Sequence, residues 1–449
     1  MNPAWHKYLS ANVPRYTSYP SALGFSEEVG SAEYSRALEG IGQYEPISLY
    51  LHIPFCNQLC WYCGCNMRVE NSYERIERYV DTLILEIEYV GARLHGRGSI
   101  SYVHFGGGTP NILRLPDTER LLAAIEQQFG LTDATPVAME VDPRLCHTLQ
   151  AAHLVKLGIN RFSLGVQDFD PEVQKAINRV QSYDLVERCM TEMREAGVPD
   201  ISLDVLYGLP GQKICSFRRT VDQVISLRPD RVSLFGYAHM PSRFRHQGLI
   251  DSNTLPDRSM RVTLAEAAAS QLMAEGYERI GFDHFALPET PLARASHHYR
   301  LNRNFQGFTE DPAQVVLGFG ASAISSVHGL IVQNTKSLRE YPELVAERGL
   351  ASAKGLVASL EQEDLGEWIR RLLCDLRASL SRYYEITGMA GEASERLLAE
   401  LEPLRRDGVI RFEDDLLVIN ENAKALSRSV AAVFDPQVMP ERQFASPAV

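Results

Sequence analysis

The sequence predicts an α/β fold on parallel strands, a barrel or partial barrel. Short apolar segments alternate with amphipathic helical ones, most of those segments run into polar or glycine-rich sequence, and no internal repeat or low-complexity linker interrupts the order. Strands are expected at 47–53, 100–105, 137–141, 161–166, 201–206 and 231–235, all rich in aliphatic or aromatic residues. Between the first two, Ile76, Tyr79, Val80, Leu83, Ile84, Ile87 and Val90 recur at helical spacing over 75–94. Asp117 and Ser182 are candidate N-caps of two further helices. A strand-then-helix order implies parallel neighbours, since a parallel pair needs a crossover and crossovers are right-handed. Periodicity alone leaves a doubly wound sheet open. A helix with proline in its first turn is expected over 256–276, and 359–433 reads as mostly helical with an extended pair over 409–418.

Composition bounds the function. The 449 residues are 45% hydrophobic and 23% charged, with no apolar stretch near the length of a membrane span. MNPAWHKYLSANVPRYTSYP lacks the apolar core of a signal peptide, so a cytoplasmic protein without membrane insertion is expected; a monomer is expected separately. A net charge of -12 argues against nucleic acid, and it would repel a polyanionic substrate unless local Arg and Lys offset the field. Length at about 150 residues per domain suggests three units.

Four of the eight cysteines, Cys56, Cys60, Cys63 and Cys65, crowd into LHIPFCNQLCWYCGC. Thiolates spaced CxxxCxxC on a short loop can surround one soft metal centre, and three ligands to a four-iron cluster leave one iron open. Structural zinc takes four ligands, usually from two paired knuckles, and no second CxxC follows downstream. A disulfide framework is not needed in a chain long enough to bury an ample core. Cys146, Cys189, Cys215 and Cys374 read as scattered spare thiols.

The loop resembles that of the radical S-adenosylmethionine enzymes. With PRYTSYP (14–20), HFGGGTP, EVDPR, GVQDF, NRVQ, LDVLYGLPGQ, YAHMP, DHFA, RNFQGFT and GASAIS, the chain resembles the oxygen-independent coproporphyrinogen III oxidases from Arg15 onward. That resemblance selects an open three-quarter barrel of six strands. It implies an N-terminal arm (1–45), the partial barrel (46–279) and a mostly helical C-terminal domain closing over the barrel mouth (280–449). The implied reaction converts two propionates of coproporphyrinogen III to vinyl groups, giving protoporphyrinogen IX, through a 5'-deoxyadenosyl radical. The implied cofactors are a 4Fe-4S cluster and two S-adenosylmethionines, with an unidentified electron donor and acceptor. Two relatives stand as alternatives: a haem-trafficking protein on the same scaffold, and a haem-modifying enzyme.

Site residues follow from motif and resemblance together. Cys56, Cys60 and Cys63 are the expected cluster ligands. Cys65, too near Cys63 for a fourth ligand, belongs to the active-site wall and, with Tyr50, to the candidate catalytic residues. Gly107, Gly108 and Thr109 end the second strand, where a missing side chain lets a ligand lie against the backbone. Glu140 sits within the apolar strand VAMEV and needs a partner there, either the cofactor's ammonium or an arginine. Arg suits a carboxylate and Asp a ribose diol; the resemblance gives those roles to Arg179 and Asp204. It adds Gln167, Tyr50, Tyr62, Ala238 and Ile324 as cofactor contacts. Arg15 and Arg303 are candidate substrate anchors. Two departures from the family pattern stand out: GQKICSF lacks the usual glutamate at a helix start, and the tail QFASPAV lacks the customary ending.

Overall fold

Strands β1 (Pro46–Ile53), β2 (Ser99–Gly107), β3 (Val137–Val141), β4 (Arg161–Gln167), β5 (Asp200–Tyr207) and β6 (Arg231–Gly236) pair in sequence order, every pair parallel. The structure is a computed structural model and describes residues 2–9, 12–16, 19–21, 24–146, 150–438 and 446–447. All six strands lie where the apolar segments place them. β1 and β6 do not meet, so the barrel is open, and the sheet continues past both to twelve strands.

Period-two alternation sets which side chains face the lumen. In β4, Phe162, Leu164 and Val166 are buried against the helical layer, while Ser163, Gly165 and Gln167 face inward. In β5, Leu203 and Val205 are buried and Asp204 faces the lumen. The outer layer comprises α1 (Tyr73–Leu94), α2 (Leu115–Phe129), α3 (Gln150–Lys156), α4 (Tyr183–Glu195), α5 (Ile214–Ser226) and α6 (Arg258–Ala274). α1 buries Ile76, Tyr79, Val80, Leu83, Ile87, Val90 and Leu94, the stripe visible in the sequence.

Capping shows where local reading succeeds and fails. Ser182 caps α4, accepting from the Leu185 N–H at 3.2 Å. Asp117 does not cap α2, which starts two residues earlier; it lies in the first turn and accepts from the Tyr73 hydroxyl at 2.5 Å. Pro256 lies outside α6, because the Asp257 carboxylate takes the cap position and accepts from the Met260 N–H at 2.8 Å. At α5, Cys215 stands where the glutamate is usual, and the Lys213 N–H is met by the Ser216 hydroxyl at 3.3 Å.

The boundary expected at residue 279 falls inside a hairpin, Glu278–Ile280 with His284–Ala286, whose second strand pairs antiparallel with β6. On the other edge Val315–Phe319 pairs parallel with β1, followed by antiparallel Ile324–Val327, Leu330–Asn334 and Ser352–Val357. The later segment thus begins as sheet and turns helical from α7 (Leu360–Asp375), with the expected extended pair at Ile410–Glu413 and Leu416–Ile419. The arm packs against this helical part: Trp5 is buried, its Nε1 donating to the Asp407 carbonyl at 2.9 Å. The tail QFASPAV lies outside the described residues except Ser446 and Pro447, whose backbone pairs with Val13 and Asn12. Cys146 and Cys189 are not separate thiols as expected but a bonded pair, Cα–Cα 6.4 Å, because α4 runs beside the segment after β3.

Glu86 of α1, 1% exposed, ties the barrel to the added strands. It accepts from the Gly320 N–H (2.7 Å), the Tyr341 hydroxyl (2.7 Å) and Asn334 Nδ2 (2.8 Å). Burial raises its pKa from the ordinary 4.5 to about 6. A raised folded-state value means this group's contribution is full below pH 4.5 and is lost as pH rises through about 6. Glu86→Gln abolishes that pH dependence. The wild type's advantage over the variant in urea unfolding should shrink between pH 4.5 and 7 by on the order of 2 kcal/mol.

Candidate active site

The loop after β1 crosses the C-terminal end of the barrel and is pinned from several later elements. Asn178 Nδ2 donates to the Leu59 carbonyl (2.8 Å), Gln247 Nε2 donates to that of Tyr62 (3.0 Å), and His246 Nε2 meets that of Cys63 (2.7 Å). Cys56 and Cys60 are buried, Cys63 half-buried and Cys65 exposed. Thr109 Oγ1 donates to Cys56 Sγ at 3.1 Å. Burial raises the Cys56 thiol to about 12, against the Thr109 hydrogen bond. Hydrogen bonding from the Cys65 side chain draws the Cys63 thiol down to about 7 and pushes Cys65 well above its usual value. The two neighbouring cysteines therefore differ in thiolate character.

The glycine motif is shaped by close approach. A Cβ at Gly108 would lie 2.7 Å from the Phe55 carbonyl oxygen and 3.1 Å from Cys56 Sγ, so only glycine lets the motif pack under the cysteine loop. The Gly107 N–H donates to Glu140 Oε2 at 3.1 Å, and His104 Nε2 meets Glu140 Oε1 at 3.1 Å. Glu140 has thus found a histidine and a backbone donor rather than an arginine.

At the end of β4 the register slips between Gly165 and Gln167, and Gln167 takes φ 67°, a left-handed value unusual for glutamine. The bulge leaves room at Gly165 for Arg179, whose Nη2 and Nε donate to the Gly165 carbonyl at 2.6 and 3.2 Å. Arg179 Nη1 pairs with Asp142 at 3.1 Å and reaches Cys60 Sγ at 3.5 Å. Arg144 also pairs with Asp142 (2.6 Å) and approaches Cys60 Sγ (3.6 Å). Burial raises the Asp142 carboxyl, but Arg179 and Arg144 outweigh it and hold it below the ordinary range. Asp204 is pushed up to about 6 by burial and the Glu140 charge, while Ser163 Oγ donates to it at 3.2 Å.

One cavity of about 200 Å³ collects these groups: all four loop cysteines, Tyr62, Gly107, Gly108, Thr109, Glu140, Gln167, Arg179 and Asp204, with Asp142, Arg144 and Ser163. The last three were missed in the sequence. EVDPR held the signal for Asp142 and Arg144, two opposite charges beside a proline at a strand end.

Other predicted residues lie off that wall. Tyr50 is buried, its ring meeting His104 (5.8 Å) and the edge of Phe305 (4.8 Å), and its hydroxyl lies 3.0 Å from His52 Nδ1. His52 Nε2 lies 2.9 Å from the Asn66 carbonyl; that oxygen can only accept, so Nδ1 accepts from Tyr50. Ala238 follows β6 and Ile324 opens the strand beyond Val315–Phe319, so they stand toward opposite edges of the sheet. Arg15 is exposed and meets the Gly236 carbonyl at 3.5 Å. Arg303 Nε and Nη2 donate to the carbonyls of Tyr16 and Arg15, both at 3.2 Å.

The donor set suits a four-iron cluster, because soft thiols, Cys56, Cys60 and Cys63 among them, line a cavity that also carries polar side chains for a second ligand. Among the described residues no three His, Cys, Asp or Glu side chains converge on a single-ion position.

Comparison with known proteins agrees with this chemistry. The radical SAM superfamily matches residues 50–224. The oxygen-independent coproporphyrinogen III oxidase of Bradyrhizobium diazoefficiens is 40% identical over 98% of both chains. That of Escherichia coli is 36% identical over 94% of this chain and 92% of its own. The solved structure of coproporphyrinogen III oxidase from Escherichia coli, described as a radical SAM enzyme, superposes with a TM-score of 0.89 at 34% identity, covering 95% of this chain and 100% of that one. Likeness at this level runs through arm, barrel and C-terminal segment alike, and the chain belongs to the oxygen-independent coproporphyrinogen III oxidase family.

Proposed function

We infer that this protein catalyses the oxygen-independent oxidative decarboxylation of two propionate side chains of coproporphyrinogen III, giving the divinyl product protoporphyrinogen IX in haem biosynthesis. The observation that carries this reading is the 40% identity to a named oxidase over 98% of both chains. A match confined to the barrel would have supported only the superfamily. Haem trafficking and haem modification have no comparable support.

When bound, a four-iron cluster and S-adenosylmethionine supply the 5'-deoxyadenosyl radical that abstracts hydrogen from a propionate. Cys56, Cys60 and Cys63 hold the cluster. Glu140 takes the cofactor's ammonium, Arg179 its carboxylate and Asp204 its ribose, with Gly107, Gly108, Thr109, Tyr62 and Gln167 shaping the pocket around them. Tyr50, Ala238 and Ile324 frame it at the edges. Cys65 and Tyr50 are the candidate catalytic residues, Cys65 lining the cavity and Tyr50 standing behind it against His104. Two S-adenosylmethionines serve the two decarboxylations. The arm (1–45) and the chain beyond residue 279 cover the barrel mouth, and Arg15 and Arg303 anchor substrate carboxylates. With a cluster bound, the reaction would need an electron donor for the cluster and an acceptor for the substrate's electron, both separate from this chain. No helix of the described residues is long and apolar enough to cross a membrane.

The test is anaerobic incubation of cluster-replete protein with coproporphyrinogen III, S-adenosylmethionine, a strong reductant and an electron acceptor, followed by chromatography of the oxidised porphyrins. Mono- and divinyl products with carbon dioxide release are expected. Stoichiometric haem binding with no vinyl product would transfer the chain to the trafficking function.

A further inference from the structure

Elsewhere in this chain, buried arginines are matched by carboxylates. Arg161 and Arg231 share Asp200 and Glu310 at 2.5 to 2.9 Å, and Arg179 shares Asp142 with Arg144. Such pairing is the rule, since a buried charge without a counterion is expensive. Among the described residues Arg261 and Arg303 depart from it.

Arg261, in the first turn of α6, lies over the ends of β5 and β6. A Cβ at Gly208 would come 2.2 Å from its Nη1 and one at Gly236 3.1 Å from its Nη2, so two glycines clear the space that the guanidinium fills. Arg15 shares Gly236 with it, and Arg303 holds the backbone of Arg15 and Tyr16. The Phe282 ring has Arg303 (4.6 Å) and Arg428 (4.9 Å) packed on it. Four guanidinium groups thus gather beside the strand ends. The carboxylate that acts on this group is Asp283, already joined to His284 Nδ1 at 2.7 Å.

Among the described residues, neither Arg261 nor Arg303 forms an ion pair, and the guanidinium of Arg261 donates no hydrogen bond. Arg261 Nε and Arg303 Nη1 are buried without a hydrogen-bond acceptor. Burial also lowers the pKa of Arg261, Arg303 and Arg428, the last to about 10. Arg261 and Arg303 are thus buried cations without a counterion among the described residues, set beside Arg15 and Arg428. The group lies four residues along β5 from Asp204, about 13 Å of extended chain, so it borders the cofactor cavity without belonging to it.

We propose that Arg261 and Arg428 complete, with Arg15 and Arg303, a carboxylate cradle that grips the propionates not undergoing reaction. This rests on the oxidase reading above and extends it to residues that no motif indicates. Guanidinium groups match carboxylates in shape and donor geometry. In a chain of net charge -12, a local cation cluster is what would admit a tetracarboxylate.

The test uses full-length, cluster-replete wild type, Arg261→Gln and Arg261→Lys. In Arg261→Gln the KM for coproporphyrinogen III should rise at least tenfold, while iron content and S-adenosylmethionine cleavage without porphyrinogen stay at the wild-type level. Arg261→Lys should recover part of the loss. Without substrate, Arg261→Gln should melt no lower than wild type, because an unpaired buried charge has been removed. Adding coproporphyrinogen III should then raise the wild-type melting temperature more than the variant's. A KM within twofold of wild type would overturn the cradle while leaving the oxidase reading intact. So would a lower melting temperature with no recovery in Arg261→Lys, which marks a structural arginine. Absence of vinyl product from wild type would instead remove the oxidase reading, and the cradle with it.

Discussion

Replacing Cys56, Cys60 or Cys63 with Ala should abolish the four-iron cluster and all product formation, whereas Cys65→Ser should retain the cluster and lose turnover. The four thiols share one loop and one cavity, and the three-plus-one assignment gives them different expected roles. Cys56 packs against Gly108 and Thr109, and Cys60 has two arginines near its sulfur. Hydrogen bonding between Cys63 and its exposed neighbour Cys65 draws the Cys63 thiol down to about 7 and pushes that of Cys65 well above the usual value. Iron and sulfide content, with electron paramagnetic resonance of the reduced protein, separates the two classes. Equal cluster loss in all four variants would defeat the three-plus-one assignment.

Arg179→Ala should have the second largest effect, in two separable parts. Removing the guanidinium leaves the 6% exposed Asp142 with Arg144 as its remaining cation and takes two of three side-chain donors from the Gly165 carbonyl, which keeps Gln181 Nε2. Breaking a buried pair of this kind costs about 3 kcal/mol, to be read from urea unfolding. S-adenosylmethionine affinity should fall by a further 1.5 to 3 kcal/mol or so, the size of a charge-assisted hydrogen bond. Iron content should hold, because the cysteine loop is fastened separately through Asn178, His246 and Gln247. Wild-type affinity measured by calorimetry in a destabilised variant would make Arg179 purely structural.

The sequence by itself determined the strands, most helices and the cysteine loop, because each rests on a local cause. Period-two alternation and the i, i+3, i+4 stripe are properties of one segment, as Phe162, Leu164 and Val166 or Ile76, Val80 and Leu83 show. The glycine motif was legible for the same reason: it is a strand end where side chains would collide. Caps were less secure. Asp117 and Pro256 carry the right chemistry for a helix start, yet the start depends on which neighbouring group reaches the free N–H groups first.

Tertiary structure decided what depends on two distant segments meeting. Nothing in Val315–Phe319 announces that it will pair parallel to β1, or that the hairpin at Glu278–Ile280 will extend the barrel past its expected boundary. The partner of Glu140 was open in the sequence between the cofactor's ammonium and an arginine, and the neighbouring strand brings it His104 and the Gly107 N–H; Arg179 meets Asp142 where the bulge at Gly165 makes room for it. Arg261 makes the clearest case. In sequence it is one more helical arginine, and its lack of a counterion among the described residues is a property of the space around it, because solvation and charge pairing act through distance in the fold and not along the chain.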